Sequence, residues 1–375
     1  MKISIDTRTI QPGDFFIPMK GIHHDGHDFI PEALRKGGRI LDVEITAYAK
    51  KYRKKLECPV IGVTGSAGKT TVKDLVASVL GQGLRVIKTA ENQNNEIGVP
   101  LTVLSAEFDT QALVVEMGMR HKGEISHLTS IVRPTHVIIT SIGKTHIELL
   151  KSEKNIAFAK AEIFKAVLSW EKRPRYAFLN YSSLYYDFLK QRAQRAGYQV
   201  LPFGGQDKPE QNVNLCYTLG HHFGLSDAQI SDGIASYQGS KHRLHVSSFR
   251  DITVIDDSYN ANPDGVLYAL QFLRRFKGRK IFVLGDMLEL GDFSASEHQK
   301  VVEYAMDAGV DILFTLGKYT HEIRSTGLLI YSFLDRDSLH ALLLPELKSG
   351  DVVLVKGSRG MAMEETVSFI KERHV

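Results

Sequence analysis

The chain has 375 residues, a net charge of +4, 43% apolar residues and 24% charged residues, a length and composition that permit two or three domains with substantial cores. The two cysteines, Cys58 and Cys216, have no metal-type spacing, and the positive charge is too diffuse for a nucleic-acid surface. No window approaches the roughly 18 apolar residues that span a bilayer. Neither nucleic-acid binding nor membrane insertion is therefore expected. Because the N-terminus has no apolar signal core, a cytoplasmic location is predicted.

The first 57 residues predict a small α/β unit. Residues 11–14 suit a turn, residues 14–17 a short strand, and residues 21–29 a polar loop with histidines. Pro31 suits the first turn of a helix that continues to Lys36. We predict three units with boundaries at 1–57, 58–244 and 245–375.

The second unit opens with the most informative segment, Val60-Ile-Gly-Val-Thr-Gly-Ser-Ala-Gly-Lys-Thr-Thr71. An apolar run, a glycine-spaced turn and an amphipathic stretch predict strand, loop and helix. Backbone N–H groups at such a helix start attract phosphate, Lys69 adds a mobile positive charge, and the Thr70 hydroxyl can bind Mg²⁺. Val63 stands where the strict phosphate-loop pattern has glycine, so a plain glycine-rich turn is the alternative. The predicted ATP contacts of this loop are Gly65, Ser66, Ala67, Gly68, Lys69, Thr70 and Thr71.

Apolar runs alternate with helical patterns through the rest of the chain. Such runs occur at 112–115, 136–139 and 176–179, and again in a third unit at 252–255, 280–284, 312–315 and 351–355. Helices are predicted in the third unit at 263–276, 296–308, 337–347 and 360–373. This alternation favours an α/β fold with mostly parallel sheets that are covered on both faces.

Four polar clusters follow predicted strands, where open α/β sheets bind their ligands. Asn94 and Asn95 lie in an amide-rich loop, which is also common turn chemistry. Glu116 ends an apolar run and suits Mg²⁺, although an N-cap or a solvated carboxylate fits its position equally well. His146 follows the next run. Lys160 is either a surface lysine or, given its apolar neighbours, a buried one.

In chain order these clusters resemble the Mur ligases, a family of ATP-dependent amide ligases. The shared motifs after the phosphate loop are Asn-x-Asn-Asn-x-Ile-Gly-x-Pro, Glu-Met-Gly, Gly-Glu-Ile, Thr-His-x-Glu and Ala-Lys-x-Glu-Ile. Further shared segments are residues 5–8, 12–16, 25–29, 255–263, 283–291 and 355–361. The resemblance covers nearly the whole chain and is strongest to the members that join D-Ala-D-Ala to a UDP-linked muramyl tripeptide.

The resemblance implies a small N-terminal domain for the UDP substrate, a central phosphate-loop domain with a parallel sheet, and a C-terminal Rossmann-like domain. It implies ATP and Mg²⁺ as cofactors, phosphorylation of a carboxylate, and attack of an amine on the acyl phosphate between hinged domains. Lys69, His146 and Lys160 are the implied catalytic residues. The implied metal ligands are Thr70, Glu116, His146 and Lys160, the last as a carbamate.

The same resemblance assigns contacts in the outer units. Arg243, Asp257 and Asn260 of the C-terminal part are expected to bind ATP, although His242 stands where relatives have glycine before the arginine. The first unit is short, and only residues 206–211 stand where relatives have extra strands, so the frame around the sugar nucleotide is reduced. The expected substrate contacts are Thr7, Arg8, Asp25, His27, Asn94, Asn95, Asp286, Lys356, Ser358 and Arg359.

Three functions are consistent with the sequence. The first is ligation of a nucleotide-sugar peptide to a dipeptide in peptidoglycan-precursor synthesis, by a monomer that acts on small molecules. The second keeps the ligase chemistry but changes the carboxylate acceptor, which the short first unit favours. The third is a non-catalytic nucleotide-binding module, which the joint presence of Lys69, Glu116, His146 and Lys160 disfavours.

Overall fold

The computed structural model describes residues 3–21, 24–165, 173–237, 239 and 242–373, which form three sheets in chain order. The elements of the first unit are β1 (Ile3–Ser4), β2 (Phe15–Phe16), α1 (Ile30–Arg35), β3 (Arg39–Ile40) and α2 (Ile45–Arg53). Its three strands are parallel and pair in the order β1-β2-β3. The strand predicted at 14–17 and the helix predicted at 31–36 are confirmed to within one residue.

The second sheet has six parallel strands, and the glycine-spaced turn leaves its middle. Its elements are β4 (Val60–Thr64), α3 (Lys69–Leu80), β5 (Val86–Lys88), α4 (Gly98–Ser105), β6 (Ala112–Glu116), α5 (Glu124–Val132), β7 (His136–Ile139), α6 (Ile147–Leu150), α7 (Glu153–Lys160), β8 (Arg175–Asn180), α8 (Tyr186–Arg195), β9 (Tyr198–Phe203), α9 (Lys208–His222) and α10 (Asp227–Ala235). The strand order is β5-β6-β4-β7-β8-β9. Since every pair is parallel, the carboxyl ends of β4, β6 and β7 meet at one edge.

The third sheet also has six strands. Its elements are β10 (His245–Phe249), β11 (Ile252–Asp257), α11 (Pro263–Leu273), β12 (Lys280–Gly285), α12 (Ser294–Asp307), β13 (Ile312–Leu316), β14 (Leu329–Phe333), α13 (Arg336–Glu346), β15 (Val352–Lys356) and α14 (Glu364–Arg373). The order is β10-β11-β15-β12-β13-β14, and only β10 runs antiparallel to its neighbour. The sheet changes between β3 and β4 and between β9 and β10, in keeping with unit boundaries at 57 and 244, which stay predictions.

Helices cover both faces of the second sheet. Side chains of α3, α9 and α10 pack on one face, and those of α4, α5 and α7 pack on the other. Every residue of β4, β6 and β7 is therefore buried, which is why these strands show as continuous apolar runs. The predicted α/β fold with mostly parallel, doubly covered sheets is confirmed. In the described residues, no helix combines the length and the apolarity that a membrane span requires.

The four strands that the sequence analysis missed in these two sheets are the four sheet edges, β5, β9, β10 and β14. Each has partly exposed residues, because solvent replaces the missing neighbour strand. An edge strand consequently lacks the uninterrupted apolar run of a central one. The last helix also begins at Glu364 rather than at 360, since Ala362 adopts a left-handed φ of +46° that interrupts the helix.

A buried histidine in the central unit, His136, predicts acid sensitivity of the fold. Nε2 of His136 lies 3.1 Å from Nε2 of His222, and the His136 ring stacks on Tyr176. Burial, together with the positive charges of His222 and Arg173, lowers the pKa of His136 to about 3. The folded protein therefore keeps His136 neutral, while the unfolded chain takes up a proton below about pH 6.5. The contribution of His136 to stability is thus lost progressively as the pH falls from 6.5 towards 3.

We expect the wild type to lose about 2 kcal/mol of unfolding free energy between pH 7 and pH 5 through this group, at the usual 1.4 kcal/mol per pKa unit. Urea unfolding of wild type and His136→Gln at pH 7 and at pH 5 measures this loss. The variant should show a smaller pH dependence. His127→Gln, on the exposed face of α5, is the control and should keep the wild-type slope. An equal pH dependence of the unfolding free energy in wild type and His136→Gln would contradict its assignment to His136.

Candidate active site

The glycine-spaced turn between β4 and α3 forms the predicted strand–loop–helix. Gly65 has a φ of +157°, and a Cβ at this position would lie 1.9 Å from Oγ1 of Thr140, so only glycine fits. Gly68 adopts a φ of +77° at the start of α3, which begins with Lys69. The first backbone N–H groups of α3 consequently point at the space above the loop, as an anion site requires.

A segment that follows β7 holds this phosphate loop in place. The backbone N–H of Ser66 donates to the carbonyl of Ser141 (2.9 Å), and that of Ala67 donates to the Ser141 hydroxyl (3.0 Å). The Ser66 hydroxyl accepts from the Gly143 N–H at 3.0 Å, and the Thr145 hydroxyl donates to the Ser66 carbonyl at 3.1 Å. The loop is therefore preorganised by contacts from a neighbouring strand end, not by its own sequence alone.

Lys69 lies over the loop it belongs to. Its ammonium donates to the carbonyl of Gly65 at 2.9 Å. Burial lowers the pKa of Lys69, which the carboxylate of Glu116 opposes and the charge of Arg243 reinforces. Thr70 is buried at the start of α3, and Thr71 next to it is partly exposed. The lysine, the two threonines and Glu116 are thus gathered at one carboxyl edge, as predicted.

Glu116 is the last residue of β6 and is 1% exposed. It lies beside Val63 of β4, and its Oε1 accepts a 2.7 Å hydrogen bond from the Asn94 side chain. Its Oε2 is buried with no hydrogen-bond partner within the described residues. The alternatives of a solvated carboxylate or an N-cap are therefore wrong, since the residue is buried and α5 starts only at Glu124. A buried acceptor without a partner suits a cation or a ligand donor.

His146 immediately precedes α6 with a left-handed φ of +62°. Its Nδ1 lies 3.0 Å from Oε2 of Glu289 in the third unit, at an angle that leaves it without an aligned hydrogen bond. Arg120 approaches the same carboxylate at 3.9 Å. The sequence analysis noted the segment 283–291 but missed Glu289, because nothing in the local pattern shows that this side chain reaches another unit.

Lys160 ends α7 and is 1% exposed, so the alternative of a surface lysine is wrong. Burial, reinforced by the positive charge of Lys69, lowers its pKa well below the usual value, and no carboxylate among the described residues counters this effect. A lowered pKa favours the neutral amine over the ammonium. A neutral amine is the form of lysine that reacts with CO₂.

Four residues of the third unit that were predicted to contact ATP or substrate form hydrogen bonds and an ion pair with one another. The Lys356 ammonium contacts the Asp257 carboxylate and donates to the Asn260 carbonyl at 2.9 Å. Burial raises the pKa of Asp257, which Lys356 opposes. The Asn260 side chain accepts from the Arg359 N–H at 3.3 Å, and the residue is exposed in the loop after β11.

Arg243 stacks on an aromatic ring of the third unit. Its guanidinium carbon lies 4.1 Å from the ring centroid of Tyr259, whose hydroxyl contacts Asn92 of the central unit. His242 has a φ of +60°, the left-handed region that glycine favours, and its Nδ1 lies 2.7 Å from a carboxylate oxygen of Asp256. The backbone at the departure from the family pattern is therefore the one that a glycine would adopt, and the histidine side chain gains a bond in return.

Asp286 and Ser358 have their polar atoms occupied by the protein. The Asp286 carboxylate accepts from the N–H groups of Tyr319 (3.1 Å) and Thr320 (2.8 Å). The Ser358 hydroxyl accepts from the Leu288 N–H at 2.8 Å. Both side chains are buried, and these bonds join neighbouring loops of the third unit, so their substrate contacts stay predictions.

The remaining predicted substrate residues lie apart from this edge or serve local structure. The Asn95 side chain accepts from the Gly98 N–H at 2.9 Å and caps α4. In the first unit, the Thr7 hydroxyl donates to Glu32 at 3.0 Å, and Arg8 pairs with Asp6. Asp25 accepts from the backbone N–H of His27 at 3.0 Å. These hydrogen bonds and ion pairs lie within the first unit, and the UDP site stays a prediction.

A small cleft with an enclosed volume of about 20 Å³ continues from the phosphate loop between the central and third units. Ala67 and Gly68 line one side, and Asp264 and Tyr268 of α11 line the other. Asn212 of α9 donates to the Tyr268 hydroxyl at 2.9 Å within this cleft. The sequence analysis missed Asn212, Asp264 and Tyr268, although the reduced segment 206–211 that it singled out overlaps the first turn of α9.

Comparison with known families agrees with this geometry. Family models describe a Mur ligase catalytic domain at residues 2–93, a Mur ligase middle domain at residues 63–237, and a Mur ligase, glutamate ligase domain at residues 242–359. The last two correspond to the second and third sheets. No single model spans the chain, but together they cover most of it in the expected order.

Among curated proteins, the chain is similar to two UDP-N-acetylmuramoyl-tripeptide–D-alanyl-D-alanine ligases. The one from Bacillus subtilis (strain 168) is 31% identical over 99% of this chain and 93% of the relative. The one from Synechocystis is 33% identical over 98% and 91%. The Bacillus alignment is 425 positions long against 375 residues here, so the relative has segments that this chain lacks.

Two solved structures show the same fold. MurF from Acinetobacter baumannii superposes with a TM-score of 0.86 at 25% identity and covers 99% of this chain and 93% of its own. MurF ligase from Thermotoga maritima in complex with ADP has a TM-score of 0.82 at 27% identity, with coverage of 99% and 97%. Full-length relatives at 30% identity or more, three family models in order and a shared three-sheet fold show that the chain belongs to the Mur ligase family.

Proposed function

We propose that this chain is an ADP-forming amide ligase that adds D-Ala-D-Ala to a UDP-N-acetylmuramoyl-tripeptide in peptidoglycan-precursor synthesis. The relatives' names supply the substrates. The observation that carries the chemistry is the phosphate loop with Lys69, beside a buried Glu116 whose Oε2 has no hydrogen-bond partner among the described residues. A loop that only stabilised a sheet would not need a lysine and a buried, unpartnered carboxylate oxygen at one edge.

ATP is proposed to bind across the cleft between the second and third units. Its phosphates would lie against residues 65–71 and take the N–H groups at the start of α3, and its base and ribose would extend towards the third unit. Arg243, at the end of the central unit, and Asp257 and Asn260 of the third unit are proposed as further contacts. The ADP bound to the MurF of Thermotoga maritima supports nucleotide use by this fold.

Mg²⁺ is proposed as the metal that accompanies ATP. No group of three His, Cys, Asp or Glu side chains among the described residues could hold a metal alone, which suits an ion that keeps waters and phosphate oxygens as ligands. Thr70 and Glu116 would hold one ion, and His146 with carbamylated Lys160 would support a second. When bound, Mg²⁺ neutralises charge on the phosphates.

The residues then support a two-step reaction. A carboxylate oxygen of the acceptor attacks the γ-phosphorus, the bond to ADP breaks, and an acyl phosphate forms. The amine nitrogen of the dipeptide attacks the acyl carbon, phosphate leaves, and the nitrogen loses a proton. Lys69 stabilises the negative charge on the transferring phosphoryl group, and its partial burial strengthens this interaction.

The proposed site roles divide between the units. Asn94, Asn95, Asp286, Lys356, Ser358 and Arg359 are proposed to orient the peptide substrates, and Thr7, Arg8, Asp25 and His27 to contact the UDP part. We infer a monomer, since one chain provides every proposed catalytic group, and a cytoplasmic location, where ATP is available.

A second candidate function, ligation to another carboxylate acceptor, is favoured by the compact first unit of three two-residue strands.

An ADP-release assay with combinations of substrates tests the proposal. We expect ADP formation only when ATP, Mg²⁺, the UDP-muramyl tripeptide and D-Ala-D-Ala are all present. Omission of either peptide substrate should lower the rate by about two orders of magnitude, since transfer needs the acceptor and release of product needs the amine. Nucleotide binding without ADP formation under any of these conditions would favour a different acceptor, which a panel of carboxylates would then identify.

A further inference from the structure

One segment of the central unit contacts both the phosphate loop and the third unit. We call residues 140–146, which follow β7, the connector. Towards the phosphate loop, Ser141 and Gly143 bond to Ser66 and Ala67 as described above. A displacement of the connector would therefore displace the loop that is proposed to hold the ATP phosphates.

Three carboxylates of the third unit hold the other side of the connector. Asp264 accepts from the Lys144 N–H at 3.1 Å, and Glu297 accepts from the Lys144 ammonium at 2.7 Å. Glu289 lies 3.0 Å from His146. The packing is tight, because a Cβ at Gly143 would lie 1.8 Å from Oδ2 of Asp264.

The Lys144–Glu297 pair is the strongest of these contacts on physical grounds. The Glu297 side chain is 3% exposed and that of Lys144 is 27% exposed, so the pair is far less screened than a surface pair. Burial would raise the pKa of Glu297, but hydrogen bonds from Lys144 and Lys300 lower it overall. Lys300 lies on the same helix as Glu297, whereas Lys144 comes from the other unit.

We propose that Lys144 is a positioning residue that couples closure of the third unit to the geometry of the phosphate loop. It holds Glu297 on one side and, through the connector backbone, Ser66 and Ala67 on the other. The inference rests on the proposed function, in which ATP is enclosed between these two units. Lys144 touches no reacting atom, so its effect is on the population of the closed arrangement.

The test compares three single variants of the full chain. Lys144→Ala removes the contact between units, Lys144→Arg keeps the charge, and Lys300→Ala removes the other lysine from the same carboxylate within one unit. Small-angle scattering with and without a non-hydrolysable ATP analogue reports closure, thermal unfolding reports the fold, and the ADP-release assay reports kcat.

We expect Lys144→Ala to lower kcat about tenfold and to reduce the contraction caused by the analogue, a factor within the usual range for coupling between sites. Lys144→Arg should keep most of the wild-type kcat and contraction, and Lys300→Ala should change either quantity by about twofold or less. Wild-type contraction in Lys144→Ala, or an equal loss in Lys300→Ala, would overturn the proposal. Because scattering needs no peptide substrate, a wrong acceptor assignment would remove ADP release and leave the closure result interpretable.

Discussion

Replacement of Lys69 by alanine is expected to lower kcat for ADP formation by about 10³-fold, the size of effect seen when one electrostatic stabiliser of a transferring group is removed. The ammonium lies over the loop and is partly buried, which makes its interaction with phosphate stronger than in water. Lys73, the next lysine along α3, cannot replace it, because Lys73 lies one turn further along the helix and donates to the carbonyls of Thr89 and Glu91.

A companion variant separates charge from packing. Lys69→Met keeps the aliphatic length and the helix propensity of the first residue of α3 and removes only the ammonium. It should lose activity as completely as Lys69→Ala, with a melting temperature close to wild type. Steady-state ADP release and thermal unfolding provide both readouts. Activity within tenfold of wild type in either variant would rule out the proposed role of the phosphate loop.

Replacement of Lys160 by alanine is expected to abolish at least 99% of the ligase rate, about a 10²-fold loss, as for other groups that stabilise charge in a site. The neutral amine of this buried residue can add to CO₂, which yields a carbamate with the negative charge that a metal requires. Without this modification the Lys160 side chain supplies no negative charge to a metal. The wild type should therefore lose activity when CO₂ and bicarbonate are removed, and regain it when they are restored.

Carbon-13 NMR after equilibration with labelled bicarbonate detects the adduct directly. Wild type should show one carbamate resonance that Lys160→Ala lacks. Lys165→Ala, on the turn that follows and exposed, is the matched control and should keep both the resonance and the activity. A fully active Lys160→Ala protein, or a wild type whose rate does not respond to CO₂, would exclude carbamylation as part of the mechanism.

The central strands and the phosphate loop could be predicted because their cause is local. Each of β4, β6 and β7 is buried on both faces and is therefore apolar throughout, and the glycines of the loop satisfy backbone needs within a few residues. The edge strands could not be predicted in the same way. Their burial depends on which strand lies beside them, which is a property of the assembled sheet.

The functional site likewise combines features that the sequence predicts with features that it leaves open. The residue types at 69, 70, 116, 146 and 160 and their order along the chain were sufficient to indicate ATP-dependent ligase chemistry, through a family resemblance that the comparisons confirm. The alternatives for Glu116 and Lys160 could not be decided from the sequence, because a carboxylate or a lysine is compatible with either exposure or burial. Both proved to be buried.

By itself, the sequence determined the fold class, the phosphate loop and the family, since these follow from periodicity and from motifs that are contiguous in the chain. Tertiary structure alone decided the contacts between units: Glu289 beside His146, Lys144 on Glu297, and Tyr259 against Asn92. These pairs are separated by more than a hundred residues, so no local pattern encodes them. They arise only when two independently patterned sheets pack against each other, and that packing sets the charge and solvent exposure on which the proposed chemistry depends.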